Sequence, residues 1–198
     1  QAGTEVEMRF SGSRLEDAQE ILFYKKGFEV LKIEEKTATA VRVRVKVSAD
    51  CPLGEHPVRV RTAGGITELK TFYVGPFPVV SRVKPKDGEP PQKLPLNCTI
   101  ASSVPNESQE IYTVDAKKGQ RLSAEIESMR LGRGFYDPYI EILDTKGFIL
   151  SRSDDTKLFI QDCYASAIVP EDGTYTIKVR ETSYGSIGLY RMHVGTFA

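Results

Sequence analysis

Val41-Arg42-Val43-Arg44-Val45-Lys46-Val47 places four valines at every second position, with three cations between them. Successive side chains of a β-strand point to opposite faces of its sheet, so the valines share one face and the cations share the other. The stretch is therefore predicted to be a half-buried antiparallel strand, with its valines in a core and its cations in water.

The same alternation recurs on both sides of this stretch. Val6, Met8 and Phe10 alternate with charged residues, and Val58-Arg59-Val60-Arg61 repeats the pattern before a predicted turn at Gly64-Gly65. The run from Leu15 to Tyr24 suits a short helix, and its end from Ile21 to Tyr24 equally suits a strand, since periodicity cannot separate the two in so short a segment. The β context favours a loop that leads into a strand.

Prolines divide the chain. Six of its 11 prolines fall in one short segment: Pro76, Pro78, Pro85, Pro90, Pro91 and Pro95. Proline cannot donate to a sheet ladder, so residues 76–93 are predicted to form an extended connector between a domain of residues 1–75 and a domain of residues 94–198.

The second domain starts the strand pattern again. Leu122, Ala124 and Ile126 alternate with polar residues, as do Tyr175, Ile177 and Val179. The run from Cys163 to Val169 is more continuously apolar, as in a strand buried on both faces. Short strands with turn signals between them are typical of sandwiches and jelly rolls. The predicted fold class is all-β, with two antiparallel β-sandwich domains, immunoglobulin-like and then jelly-roll-like.

Composition limits the classes of partner. Lys+Arg and Asp+Glu both number 27, whereas a protein that binds nucleic acid through phosphates is expected to be basic. No apolar run approaches the roughly 20 residues of a membrane span, so neither nucleic acid nor membrane insertion is expected. No signal peptide is visible and the chain begins at Gln1, so we expect a processed or trimmed product.

The three cysteines, Cys51, Cys98 and Cys163, are too few and too widely spaced for a disulfide framework or a zinc site. They are interpreted as small buried apolar residues. A bond between Cys98 and Cys163 stays open at this point, because it requires their strands to be neighbours.

Several ordered motifs of the second half resemble the bacterial pre-peptidase C-terminal domain, most closely the version in large exported proteins of planctomycete-type bacteria. The motifs are Tyr112-Thr113-Val114, Gly119-Gln120-Arg121-Leu122, Asp137-Pro138-Tyr139-Ile140, Ile142-Leu143-Asp144, Ser153-Asp154-Asp155 and Glu171-Asp172-Gly173-Thr174-Tyr175. The resemblance covers about Leu94 to Gly195. It implies a β-sandwich or jelly roll that accompanies secreted peptidases and other exported proteins, usually without catalysis of its own, at an extracellular, cell-surface or periplasmic location.

Some members of that family, in bacterial collagenases, bind collagen or calcium. Their opening Glu-Pro-Asn-Asn-like stretch is replaced here by Lys84-Pro85-Lys86-Asp87-Gly88-Glu89-Pro90, which lacks the asparagines. The first half resembles an immunoglobulin-like domain of the IPT/TIG kind. This resemblance rests on Gly12, the basic-valine strand, Pro52-Leu53-Gly54-Glu55-His56 and the Gly64-Gly65 turn.

Residues for catalysis are scarce. His56 and His193 are the two histidines, and no nucleophile-elbow, zinc-protease or phosphate-loop pattern occurs. His56 is placed in a turn before a strand. His193 is predicted to point at solvent, opposite Tyr190, Met192 and Val194. A Cys163–His193 dyad is conceivable, with nothing to signal it beyond the two residue types, and the chain is predicted not to be an enzyme.

Two surfaces are candidates for recognition. Arg42, Arg44, Lys46, Arg59 and Arg61 would share one outward face if their strands pair. That face is either a solvated one with interleaved acidic groups or a polyanion-binding patch. The second surface is the predicted loop from Met129 to Asp137. Its ligand-binding candidates are Arg130, Arg133, Phe135 and Tyr136, since planar rings and guanidinium groups suit stacked contacts. Alternatively, Phe135 and Tyr136 plug the core.

Asp154 and Asp155 are the candidates for calcium, in a polar turn between apparent strands. Two adjacent carboxylates fall short of the six to eight oxygens that calcium takes. No metal or other cofactor is therefore expected. The predicted function is a non-catalytic interaction or adhesion module of an exported bacterial protein that binds protein or glycan ligands. The alternative is an accessory C-terminal region of a secreted peptidase or other hydrolase whose catalytic domain lies outside this chain.

Overall fold

The computed structural model describes residues 1–132, 134–157, 159–185 and 187–198. Within these residues every long element is a strand and most strand pairs are antiparallel, which confirms the all-β fold class and the antiparallel sandwiches. The chain divides into two compact units, Gln1–Pro76 and Phe77–Ala198. No helix in the described residues is both long and apolar enough to cross a membrane.

The first unit contains seven strands in two sheets. They are β1 (Glu5–Ser11), β2 (Ala18–Phe23), β3 (Phe28–Thr37), β4 (Ala40–Val47), β5 (Gly54–Thr62), β6 (Gly65–Ile66) and β7 (Lys70–Val74). One sheet has the order β1-β4-β3, and in the other β5 lies between β2 on one side and β6 and β7 on the other. The strand β2 confirms the choice of a strand over a helix in the run from Leu15 to Tyr24.

The valine face of β4 forms the centre of the first core. Val41, Val43 and Val45 are fully buried. They pack with Ile21 of β2 and Val60 of β5, so that the apolar faces of the two sheets meet. The half-buried strand predicted for residues 41–47 is thereby confirmed.

The cations between the core valines lie on two different sheets. β4 carries Arg42, Arg44 and Lys46, whereas β5 of the other sheet carries Arg59 and Arg61. The predicted single outward face is therefore wrong, because the two strands oppose each other across the core and turn their cations to opposite sides. The predicted interleaving with acidic groups is confirmed by Arg42–Glu35 at 3.1 Å, Arg44–Glu34 at 2.9 Å and Arg61–Glu20 at 2.9 Å.

The segment predicted as a connector contains two short strands. β8 (Val79–Val80) and β9 (Gln92–Leu94) each add a parallel edge strand to a sheet of the second unit. The prolines of this segment lie outside both strands, so none of them interrupts a ladder. Residues 77–93 thus belong to the second unit, whereas the sequence predicted residues 76–93 to be an extended connector.

The second unit consists of two five-stranded sheets. After β8 and β9 come β10 (Cys98–Val104), β11 (Gln109–Ala116), β12 (Arg121–Glu127), β13 (Pro138–Leu143), β14 (Ile149–Ser153), β15 (Tyr164–Ile168), β16 (Gly173–Glu181) and β17 (Gly188–Gly195). The sheet orders are β15-β12-β17-β10-β8 and β14-β13-β16-β11-β9. A short 3₁₀ helix (Met129–Leu131) follows β12.

One apolar core joins these two sheets. Ile126 and Met192 from the first pack in the same cluster as Ile142 and Ile177 from the second. The strand β15 lies at a sheet edge with Ile168 exposed, so the expected burial of this segment on both faces is wrong. β15 is an edge strand that also contacts β14, the edge strand of the opposite sheet.

Separate folding of the second unit is a testable prediction. A fragment of residues 77–198 contains a complete core and both parallel edge strands, so it should unfold in one cooperative thermal transition. A fragment of residues 94–198 lacks most of the edge strands and should melt at a lower temperature. Circular dichroism melts of the two fragments check this, and a non-cooperative transition of the longer one would contradict it.

Candidate functional site

Four loops lie at one end of the second sandwich. Glu127, at the end of β12, pairs with Arg191 near the start of β17, and Pro138, at the start of β13, pairs with Glu181 at the end of β16. Antiparallel pairing of this kind places four loops at the same end of the sandwich. They are residues 105–108, 128–137, 154–163 and 182–187. We call this set the loop end. Two of its loops have ten residues, whereas the turns at the opposite end, 117–120, 144–148 and 169–172, have four or five.

The carboxylate of Asp162 fastens two of these loops together. Asp162 is fully buried, and its Oδ1 accepts hydrogen bonds from the backbone N–H groups of Ser128 at 2.9 Å and Met129 at 2.7 Å. Its Oδ2 accepts from Nε of Arg130 at 2.6 Å. The Arg130 guanidinium also bonds Glu125 at 2.8 Å and lies 4.1 Å from the ring centre of Phe159.

These carboxylates decide the charge of Arg130. Burial alone would lower the pKa of its guanidinium, but hydrogen bonds to Asp162 and Glu125 outweigh burial and raise that pKa. A charge that is paired and hydrogen-bonded in this way is a positioning group rather than one available to a ligand. Arg130 therefore holds the loops in place.

The other two loops are fastened by Glu181 and by backbone contacts. Oε2 of Glu181 accepts hydrogen bonds from the N–H groups of Ser183 at 2.8 Å and Gly185 at 2.7 Å. The N–H of Thr182 donates to the carbonyl of Asp137 at 2.9 Å, and the N–H of Glu107 donates to the carbonyl of Tyr184 at 3.2 Å. The four loops are thus joined to one another.

On these fastened loops, large apolar side chains face solvent. Phe135 is 70% exposed, Ile160 is 79% exposed and Ile187 is 70% exposed. Leu189, next to the last loop, is half exposed. The exposure of these large apolar groups on loops of one end makes the loop end a candidate for an interaction site.

Backbone strain is concentrated at the same end. Among the described residues, five that are not glycine have a positive φ angle, and Glu107, Ile160 and Tyr184 of the loop end are three of them. A β-branched residue such as Ile160, at φ 61°, is an outlier in this region of backbone space. Strain of this kind costs on the order of 1–3 kcal/mol and persists where the surrounding structure imposes it.

The four residues predicted to bind a ligand have different environments. Phe135 is exposed, Arg130 is paired with buried carboxylates, and Tyr136 is only 2% exposed. Arg133 lies outside the described residues. A methyl group at Gly188 would overlap the Tyr136 ring, so the ring packs against that glycine backbone. The alternative in which the aromatic pair plugs the core therefore holds for Tyr136 and fails for Phe135.

Acidic side chains accompany the apolar ones. Asp154 and Asp155 are exposed, and Asp137 is half-buried, with its Oδ1 atom lacking a hydrogen-bond partner among the described residues. Burial raises the pKa of Asp137, and the negative charges of Asp155, Glu181 and Asp154 raise it further. The described residues contain no group of three or more His, Cys, Asp or Glu side chains arranged to hold a metal ion.

A buried polar cluster elsewhere was not foreseen from the sequence. Nδ1 of His193 lies 2.7 Å from Oγ1 of Thr99, and its Nε2 lies 3.3 Å from Oε2 of Glu127. The prediction that His193 points at solvent is wrong, because the imidazole is buried and the ring of Phe77 lies 6.3 Å from it. No local pattern could have signalled this, since Thr99, Glu127 and Phe77 come from distant parts of the chain.

This cluster has the residue types of a catalytic triad but not the access of one. Thr99 is fully buried, so its hydroxyl cannot meet a substrate. Burial would raise the pKa of the Glu127 carboxyl, but the hydrogen bond from His193 and the charge of Arg191 outweigh it and lower that pKa. Both ring nitrogens of His193 already face Thr99 and Glu127, which leaves none for the conceivable dyad with Cys163.

The remaining polar candidates are internal. His56 lies within β5 rather than in a turn, is buried, and its Nε2 lies 2.6 Å from the carbonyl of Pro52. All three cysteines are buried free thiols, so the pairing of Cys98 with Cys163 that the sequence left open is not made. Burial raises the pKa of Cys98 to about 11. The interpretation of the cysteines as small buried residues is confirmed.

A shallow depression of about 380 Å³ lies at the opposite end of the sandwich, between Leu96, Asp115, Lys117 and Thr174. The Asp115 carboxylate in it already bonds Lys93 at 2.6 Å and Thr174 at 2.7 Å. Hydrogen bonds to Lys93 and Thr174 lower the pKa of Asp115. The polar part of this depression is therefore satisfied within the chain, and the loop end is the stronger candidate.

No protein-family model matches the sequence, and no curated protein matches it. Among solved structures, a periplasmic inhibitor of g-type lysozyme from Aeromonas hydrophila, PliG, is 17% identical, with TM-score 0.41 over 52% of this chain and 95% of that chain. The pre-peptidase C-terminal domain of collagenase from Bacillus anthracis is 15% identical, with TM-score 0.41 over 57% of this chain and 99% of that chain.

A third solved structure, SGBP-B of Bacteroides ovatus in complex with a mixed-linkage heptasaccharide, is 15% identical, with TM-score 0.31 over 95% of this chain and 49% of that chain. Because all three TM-scores lie below 0.5, these likenesses carry no argument about what this chain binds. The resemblances to the pre-peptidase C-terminal and IPT/TIG families stay predictions. The function has to be argued from the loop end itself.

Three single variants separate positioning from exposed residues of the loop end. Arg130→Ala would leave the buried Asp162 carboxylate uncompensated and should cost about 3 kcal/mol. Tyr136→Ala should cost about 3–5 kcal/mol, as truncation of a buried aromatic does. Phe135→Ala should leave the melting temperature within about 2 °C, because surface changes are nearly neutral. Denaturant unfolding measures all three, and a stable Tyr136→Ala protein would contradict the assignment of Tyr136 to the core.

Calcium should leave the stability unchanged. If Asp154 and Asp155 held the ion, free calcium at 100 times its dissociation constant would stabilise the fold by about 2.7 kcal/mol. We expect coincident thermal melts in millimolar calcium and in chelator, because the two carboxylates supply too few oxygens. A rise of several degrees in calcium that disappears in Asp154→Asn/Asp155→Asn would overturn this expectation.

Proposed function

We propose that this chain is a non-catalytic interaction module of an exported protein, and that the loop end of the second sandwich binds a protein partner. The observation that carries the proposal is the exposure of Phe135, Ile160 and Ile187 on loops fastened by buried carboxylates. Loops held by a rigid scaffold are the usual place for binding residues. Fastened loops also lose little conformational entropy on binding, which favours affinity.

The residue types favour a protein over a glycan. Sugar rings stack on flat, open aromatic faces, and Phe135 is the aromatic group that the loop end exposes most. Among the described residues of these loops the other exposed aromatic side chain is Tyr184, whose ring centre lies 4.6 Å from the guanidinium of Arg180. Ile160 and Ile187 are branched aliphatic groups, which bury well against protein side chains and offer no stacking plane.

The burial of the candidate nucleophiles disfavours catalysis. Buried Thr99 is the hydroxyl closest to a histidine in the buried polar cluster, and burial raises the pKa of the Cys163 thiol well above its ordinary value, which disfavours the nucleophilic thiolate. The proposal is compatible with a role beside a peptidase or other hydrolase domain carried on the same polypeptide. Export is part of the proposal and rests on the resemblance of the second half to the pre-peptidase C-terminal domain.

The exposed apolar residues can be removed without loss of the fold. The triple variant Phe135→Ser/Ile160→Asn/Ile187→Ser should keep the melting temperature within about 3 °C, because these side chains bury little area. It should lose binding on an array of extracellular proteins, where the unchanged protein binds. The matched control is Phe148→Ser, since Phe148 is 68% exposed but belongs to a turn at the opposite end. That control should bind like the unchanged protein.

Ile160→Asn alone gives the sharpest discrimination. Asparagine tolerates the left-handed backbone that strains isoleucine, so this variant should be as stable as the unchanged protein or more stable, by about 1 kcal/mol. A more stable protein that binds less cannot be explained by unfolding. Binding to a glycan array or to phosphatidylcholine vesicles that depends on Phe135, with no protein bound, would overturn the proposal of a protein partner.

A further inference from the structure

We infer that the partner of the loop end is a basic protein segment, in which Lys or Arg side chains flank an apolar anchor. This inference rests on the proposed function and adds the charge of the partner to it. The apolar side chains of the loop end supply the contact area, and the charges around them decide which partners are attracted and which are repelled.

The ionisable groups exposed at the loop end are mainly acidic. Among the described residues of the four loops, Glu107, Asp154 and Asp155 are exposed carboxylates, and Lys157 is the exposed cation. Asp137 adds a half-buried carboxyl whose Oδ1 has no hydrogen-bond partner. Even with the positive charge of Arg133, which lies outside the described residues, carboxylates predominate there.

Arg130 and Arg180, near these loops, are held by groups within the chain, and exposed Arg152 on β14 lies opposite Glu141 of β13. Arg130 is bonded to Asp162 at 2.6 Å and to Glu125 at 2.8 Å, so its charge is balanced by carboxylates beneath the loops. The guanidinium of Arg180 lies 3.9 Å from the ring centre of Tyr139, and its Nη1 donates a hydrogen bond to the carbonyl of Thr182 at 2.7 Å. Its position is fixed by groups within the chain.

The negative charges of Asp154, Asp155 and Asp137 repel one another, which burial intensifies at Asp137. A Lys or Arg side chain from a partner that lies against the exposed Asp154 and Asp155 would relieve this repulsion. Anionic partners, which include acidic lipid surfaces and nucleic acids, would be repelled by the same groups. The chain as a whole carries zero formal charge, so its net charge adds nothing to this local effect.

Selection from a random dodecapeptide library displayed on phage tests the inference directly, because such a library samples basic, neutral and acidic segments alike. Selection is run on the whole chain, with counter-selection on Phe135→Ser/Ile160→Asn/Ile187→Ser, so that only peptides specific to the loop end remain. We expect these peptides to be enriched in Lys and Arg around an aromatic or aliphatic residue. Their synthetic versions should bind more weakly at 500 mM than at 50 mM NaCl, because salt screens exposed charges.

A charge variant with a matched control completes the test. Asp154→Asn/Asp155→Asn should weaken the selected peptides by about tenfold, as loss of two exposed ion pairs of roughly 0.7 kcal/mol each does. Glu16→Gln/Asp17→Asn removes an adjacent exposed acidic pair from the first unit and should leave affinity unchanged. Neutral or acidic selected peptides would overturn the inference while they support the proposed function. Failure to select any peptide dependent on the loop end would overturn both.

Discussion

Each strand of the two sandwiches buries an apolar face against the opposite sheet, and this constraint organises the molecule. The fully buried Val41, Val43 and Val45 meet the second sheet of their unit, whose Val60 is also buried. Every cation between those valines is thereby turned outward, where Glu20, Glu34 and Glu35 neutralise the arginines. The outer faces gain little stability from such pairs, since exposed ion pairs contribute about 0–1 kcal/mol. Apolar burial is what determines the fold, and the surface charges follow from it.

Buried carboxylates hold the loops of the loop end in position, as apolar burial holds the strands. Asp162 and Glu181 accept backbone N–H groups that the loops cannot pair among themselves, and Asp162 also holds the guanidinium of Arg130. A buried acceptor with several donors is strongly fixed in position, because each unmade hydrogen bond would cost about 1–3 kcal/mol. Phe135 and Ile160 are consequently presented by an ordered scaffold although their own side chains make few contacts. A recognition surface needs side chains that are exposed to solvent on a backbone that is already fixed in position, because little conformational entropy is then lost on binding.

The sequence predicted the strands far better than the site, for a physical reason. Alternation is local, so β4 and β16 could be recognised from their own residues, and the buried Tyr175, Ile177 and Val179 of β16 are the residues that the alternation marks. The partners of Arg130 and His193 are remote in sequence: Asp162 lies 32 residues from Arg130 and Thr99 lies 94 residues from His193. A pattern of period two says which face a residue is on and says nothing about what covers that face. His193 was assigned to solvent on that ground, and it is buried next to Phe77.

The loop from Met129 to Asp137 lies at the candidate site as the sequence predicted, but its residues have different roles. Its glycines, arginines and aromatics mark it as a recognition loop, yet Arg130 and Tyr136 face inward, and Phe135 faces outward. Phe135 and Tyr136 are adjacent, yet the Tyr136 side chain is 2% exposed and the Phe135 side chain is 70% exposed. The residue that packs on Gly188 is therefore committed to stability, and its neighbour is free for contact with a partner. Ile160 is exposed and has a strained φ of 61°, a backbone conformation that asparagine adopts at a lower cost in free energy. An exposed apolar residue that costs stability where it stands is best explained by what it contacts in a complex.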